Sequence, residues 1–210
     1  MSAQRQPTPS PPDTLVSVRL FGPFELRIDG SAVPKFATAQ GQALLAWLCL
    51  NPDPHPREKL ADLFWPEHLP ARAGQNLRKT LSRMRGGLPS QPNGLQINRR
   101  TVQLLPRLYD VDALRFHALL DACAHHSHRA VERCPACCAR LEEAVALYRG
   151  ELLAGGGSDD RPAFEEWLLL QRERFHRQVV DALQTLIDYH KGLQDQESVR
   201  RLAQRLIELE

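Results

Sequence analysis

Two hydrophobic periods alternate along the first half of this chain, in an order that few folds accommodate. Val16, Val18 and Leu20 alternate with polar residues, and after Gly22-Pro23 the alternation resumes at Phe24, Leu26 and Ile28 before Asp29-Gly30. Alternating segments joined by turn residues predict a small antiparallel sheet with one buried face, with a short third strand near 32–34. From 38 to 50 the pattern turns helical, through Ala43, Leu44, Leu45, Trp47 and Leu48, and Asn51-Pro52 ends it. Pro56 suits a first helical position and opens a short helix through Leu60, Leu63 and Phe64, stopped by Trp65-Pro66. A third helix is expected over 71–88, fraying at Gly86-Gly87. Period two then returns at Leu95 and Ile97, and again at Val102 and Leu104, around Asn98-Arg99-Arg100-Thr101. This reads as a β-hairpin with an arginine tip, so the order is sheet, three helices, hairpin.

Beyond Asp110 the pattern is helical, with helices expected at 112–124, 135–153, 163–191 and 196–209 and a loop at Gly155-Gly156-Gly157. The change in composition at Tyr109–Asp110 marks the expected boundary between domains at 15–109 and 110–210. The fold class is mainly α with small antiparallel sheets. Residues 1–14, rich in Pro, Gln and Ser, read as a disordered leader without the apolar stretch of a secretory signal. No apolar run approaches the roughly 18 residues needed to cross a membrane. Cytoplasmic residence is the resulting expectation. Five cysteines, an odd count, argue against a disulfide framework in such a compartment.

Charge is distributed unevenly. Eight Arg and Lys residues lie between His68 and Tyr109 with no Asp or Glu, leaving 19 of the 27 basic residues against all 25 acidic ones elsewhere. A concentrated cation within an otherwise acidic chain is the footprint of a polyanion partner. At about 100° per residue, Ala73, Leu81, Met84 and Leu88 fall within about 40° of Leu77, forming one apolar stripe. The opposite face holds Arg72, Gln75, Lys79 and Ser82, flanked by Asn76, Arg78 and Arg83. Arg and Lys match guanine acceptors, Asn and Gln match adenine edges, and a major groove admits a helix. Arg85, nearer the core boundary, suits phosphate, and Arg99 and Arg100 at the hairpin tip suit a minor groove or its backbone.

Residues 16–107 resemble the OmpR/PhoB-type winged-helix domain. The resemblance is carried by Val18-Arg19-Leu20-Phe21-Gly22, by Ala43-Leu44-Leu45-Ala46-Trp47-Leu48, by Arg57-Glu58-Lys59-Leu60-Ala61-Asp62-Leu63-Phe64-Trp65-Pro66 and by the run from Asn76 to Arg85. Residues 110–210 resemble the bacterial transcriptional activator domain that follows it in SARP-type regulators, through Leu147-Tyr148-Arg149-Gly150-Glu151-Leu152-Leu153 and Phe164-Glu165-Glu166-Trp167. The resemblance implies a sequence-specific activator that binds double-stranded DNA, with base-reading positions at or near Lys79, Ser82 and Arg83. It also implies a tetratricopeptide-like helical array that packs on the DNA-binding domain, supports a homodimer and contacts RNA polymerase. The family continues beyond such an array, so an N-terminal piece of a longer regulator is expected. Gly86-Gly87 and the Pro-rich 89–92 stretch depart from the family pattern.

Cys123, His125, His126, His128, Cys134, Cys137 and Cys138 crowd into sixteen residues. Thiolates and imidazoles supply the ligands zinc takes, and Cys123, His128, Cys134 and Cys137 form a candidate structural zinc set; an exposed loop with buried cysteines is the competing reading. No other cofactor is expected. The chain has no phosphate-binding G-x-x-x-x-G-K-[ST] run and no arguable nucleophile–base pair, so no enzyme activity is expected. A protein-interaction module without DNA affinity is the alternative function. It would favour exposed apolar residues opposite the Leu77 stripe, where none is found.

Overall fold

Strand β1 (Val16–Arg19) lies between two partners of opposite sense. It pairs antiparallel with β2 (Glu25–Ile28), Val16 opposite Ile28, and β3 (Ser31–Ala32) extends that edge. On its other side it pairs in parallel with β7 (Tyr109–Val111), Val16 opposite Tyr109 and Val18 opposite Val111. The structure is a computed structural model that describes residues 16–34, 36, 38–89, 94–128, 130–156 and 160–209. The expected 1–14 leader lies outside the described residues. A second sheet, ordered β4-β6-β5, joins the expected hairpin of β5 (Leu95–Ile97) and β6 (Thr101–Leu104) to β4 (His55–Pro56).

Between the sheets run α1 (Ala39–Leu50), α2 (Arg57–Phe64) and α3 (Pro70–Gly87). The Thr38 hydroxyl accepts from the Gly41 amide at 3.3 Å and opens α1. Helix α1 is apolar on most sides, and its Leu44, Leu45, Leu48 and Cys49 are buried, as a central helix must be. It packs against α3 and β6, while α2 packs against α3. Helix α3 continues through both glycines instead of fraying there. A Cβ on Gly87 would stand 2.7 Å from the Phe36 ring, so glycine lets the last turn of α3 close on that side chain.

The second half holds α4 (Asp112–Ala124), α5 (Pro135–Leu147), the 31-residue α6 (Pro162–Gly192) and α7 (Gln196–Leu209). Successive helices pack on one another, α4 on α5, α5 on α6 and α6 on α7. The helix expected over 135–153 stops six residues early. Beyond it the chain pairs with the first half instead: Gly22 donates to the Glu151 carbonyl (2.9 Å), Leu153 to Leu20 (2.8 Å) and Ala154 to Gly22 (3.0 Å). These backbone groups cannot serve a helix and the other half at once. Gly22 holds φ +80° with the Arg149 backbone beside it, where glycine carries no steric penalty.

The halves share one core. Phe21 is fully buried, and its ring centroid lies 5.4 Å from Phe116, 4.9 Å from Tyr148 and 5.1 Å from Phe175. A second seam joins Trp47 to Trp167 (4.6 Å) and Phe64 to Phe164 (5.1 Å). The buried Asp112 carboxylate accepts from the Leu20 (2.7 Å), Phe21 (3.2 Å) and Ala113 (2.8 Å) amides and faces Arg149 at 3.5 Å. Burial raises its pKa, against the pull of those donors and of Arg149. The expected boundary at Tyr109–Asp110 therefore falls inside a strand, β7, that belongs to the first half's sheet. Among the described residues, no helix is long and apolar enough to cross a membrane.

Candidate nucleic-acid interface

Helix α3 divides its residues by face. Ala73, Leu77, Thr80, Leu81 and Met84 are buried, and Leu88 just beyond its end is buried too. Arg72, Gln75, Arg78, Lys79, Ser82, Arg83 and Arg85 are exposed, and Asn76 is half-buried. The apolar stripe fixes the rotation of the helix, because turning it would carry guanidinium groups into the core. Pro70 at the first turn starts α3 without needing an amide partner. Among the described residues, none of the α3 arginines nor Lys79 lies within 4.0 Å of a carboxylate.

The hairpin tip is built by Asn98. Its side-chain oxygen accepts from the Arg100 (2.8 Å) and Thr101 (2.7 Å) amides, and its amide nitrogen donates to the Thr101 hydroxyl (2.8 Å). This side-chain turn leaves Arg99 and Arg100 exposed. The tip is anchored to α2: the Arg57 amide donates to the Arg100 carbonyl (2.9 Å) and the Arg57 guanidinium to the Asn98 carbonyl (3.3 Å). Arg57 is thus a positioning residue that sequence reasoning missed. Its partners lie more than forty positions away, beyond the reach of any local pattern.

A cleft of about 420 Å³ separates the tip from the helices, lined by residues that include Arg57, Glu58, Asp62, Gly74, Arg78 and Arg99. Two carboxylates of α2 therefore share a wall with Arg78 and Arg99. The basic block is free of acid along the sequence, but in space this corner is mixed in sign. Lys79, Ser82 and Arg83 do not line that cleft.

The cysteine–histidine cluster lies where α4 gives way to α5. His126 Nδ1 is 3.2 Å from Cys137 Sγ and 3.5 Å from Cys134 Sγ. His128, the imidazole placed in the expected set, turns away and its Nε2 meets the Cys123 carbonyl at 3.2 Å. The imidazole beside the thiols is that of His126, not the expected His128. Cys123 is buried and its thiol donates to the Cys137 carbonyl at 3.6 Å. The backbone amide of Cys137 holds the Cys134 thiol below its ordinary range, while burial pushes Cys137 up to about 11.

The second half can be compared with known families: the family model of the bacterial transcriptional activator domain matches residues 111–210. The whole fold is similar to a solved structure described as Mycobacterium tuberculosis EmbR in complex with a low affinity phosphopeptide, with a TM-score of 0.60 at 20% identity. The match covers 92% of this chain and 59% of that one, so the chain spans little more than half the length of this relative. A small sheet, three helices and a hairpin followed by a helical array is the order on which the SARP-type resemblance rests, and the structure has that order. No curated protein matches the chain.

Proposed function

We propose that this chain is the DNA-binding part of a SARP-type transcription activator. Helix α3 enters the major groove with Lys79, Ser82 and Arg83 toward base edges, and Arg72, Gln75, Asn76, Arg78 and Arg85 flank them. Arg99 and Arg100 reach the adjacent minor groove or its phosphates. The observation that carries this reading is the exposed face of α3, whose guanidinium and ammonium groups have no carboxylate partner among the described residues. Donors left unsatisfied by the protein remain available to phosphate and base acceptors. The helical half serves protein partners, RNA polymerase or a second copy of the chain.

The test is in vitro selection of DNA sites from a random pool, followed by footprinting and titration across salt. Enrichment of one motif, with affinity falling steeply as salt rises, is the expected result. Direct repeats would indicate tandem binding and inverted repeats a symmetric dimer. A pool that yields no motif and no salt-dependent retention would overturn the assignment in favour of a protein-interaction module.

A further inference from the structure

We propose that His126, Cys134 and Cys137 bind a structural zinc ion that ties the end of α4 to the start of α5. The three ligand atoms all lie within 4.8 Å of one another. Zinc–sulfur bonds of about 2.3 Å and zinc–nitrogen bonds of about 2.0–2.1 Å, set in a tetrahedron, require ligand-to-ligand edges of roughly 3.5–3.8 Å. The observed His126–Cys134 edge of 3.5 Å meets that value, and the His126–Cys137 edge of 3.2 Å is about 0.3 Å shorter than its lower end.

The surroundings suit a metal better than a disulfide. A disulfide between Cys134 and Cys137 would have no use for an imidazole placed against both sulfurs. Arg140, one turn into α5, donates to Cys137 Sγ at 3.8 Å. A cation there favours the thiolate form of Cys137 that a metal ligand requires. Cys123 stands on the buried side, next to Cys137. Binding is a proton-for-metal exchange: each ligating thiol releases its proton to solvent, the imidazole binds through unprotonated Nδ1, and no electron changes hands.

The site has a mechanical reason to exist. Among the described residues, the connection from His125 to Cys134 holds only a three-residue 3-10 turn, Val131–Arg133, as regular structure. Zinc would fix its two ends with ligands from both sides, as metal clips do where a loop has little apolar surface to bury.

The experiment uses the full chain purified without chelator. Metal analysis should find zinc equimolar with protein. Cobalt(II) titration of the metal-stripped chain should give the visible absorption of a tetrahedral site together with thiolate-to-cobalt charge transfer. His126→Asn should abolish stoichiometric zinc, and His128→Asn should retain it. Cys137 is buried, so Cys137→Ser is read only alongside circular dichroism. The cobalt spectrum of the unsubstituted chain does not depend on any variant folding. Protein that takes up neither zinc nor cobalt would overturn the site. So would a freshly purified chain with Cys134 and Cys137 joined as a disulfide, or zinc lost with His128→Asn and kept with His126→Asn. None of these outcomes bears on DNA binding, which is read separately.

Discussion

Arg83 on α3 and Arg172 on α6 are the same side chain in opposite circumstances. Arg83 extends into solvent, with no carboxylate beside it among the described residues. Arg172 donates to the Leu152 and Leu153 carbonyls at 2.8 and 2.9 Å, and Glu151 stands 3.4 Å away. The pattern extends to their neighbours. In the helical half Arg205 donates to the Val145 (2.8 Å) and Tyr148 (2.6 Å) carbonyls at the end of α5, Arg115 pairs with Glu143, and Arg149 faces Asp112. Those guanidinium groups satisfy backbone carbonyls and carboxylates that the fold itself leaves over. On α3 and the hairpin tip, Arg72, Arg78, Arg83, Arg85, Arg99 and Arg100 remain exposed. A count of charges cannot separate these uses. What separates them is whether an acceptor already lies within reach.

The seam between the halves is the first place to test that difference. Phe21→Ala should cost about 3–5 kcal/mol, since the ring is fully buried among three aromatic residues of the other half. Calorimetry should show a single transition, lowered as a whole; two separate transitions would mean the halves are not coupled there. Leu81→Ala, on the core stripe of α3, should cost about 2–5 kcal/mol of stability. Arg83→Ala and Lys79→Ala should each leave the melting temperature unchanged while weakening binding to the selected site by about 1–3 kcal/mol. Gel-shift titrations showing no loss for either would sink the reading-face assignment. Arg100→Ala should weaken binding to all sequences alike and lower the salt slope by about one.

The smallest expected effect concerns acid. Asp195 precedes α7 and accepts from the Ser198 amide at 3.1 Å, and its bonds to Ser198, with His190 beside it, hold its pKa below the usual carboxylate range. A folded pKa lower than the unfolded one stabilises above about pH 4 and is lost as pH falls through the folded value. Asp195→Asn should therefore be less stable than the parent near neutrality, with the gap closing in acid. Denaturant titrations across pH would show it; a gap that widens in acid would exclude this role.

Periodicity carried the element order far. The β1–β2 pair, the three helices, the hairpin and the two faces of α3 all follow from spacing at period two or 3.6. What spacing could not supply was pairing at a distance. His55–Pro56 and Tyr109–Val111 are strands only because Val102 and Val16 lie beside them, and segments of two or three residues show no period of their own. The early end of α5 has the same cause, since the segment after it looks helical until Leu20 and Gly22 claim its backbone. His126 and His128 lie in a loop, where no repeat decides which imidazole turns toward the thiols. The ten residues assigned to DNA were named from the sequence. Arg57, which anchors the hairpin tip, stood there only within a family motif, as did the acidic neighbours Glu58 and Asp62, with no place at the interface.

The parallel pairing of β7 with β1 also has a geometric consequence. The chain leaves the winged helix through a strand of that domain's own sheet and enters α4 at the very next residue, Asp112. There is no tether at the junction. Swivelling one half against the other would break sheet hydrogen bonds and unstack both aromatic seams together. The heading of α3 is therefore surveyed from the helical array, much as a compass needle soldered to its case. If two such chains assemble through their arrays, the distance and angle between their α3 helices are set by that assembly alone, and on the proposed function the spacing of bound sites becomes a measurement of how the arrays join.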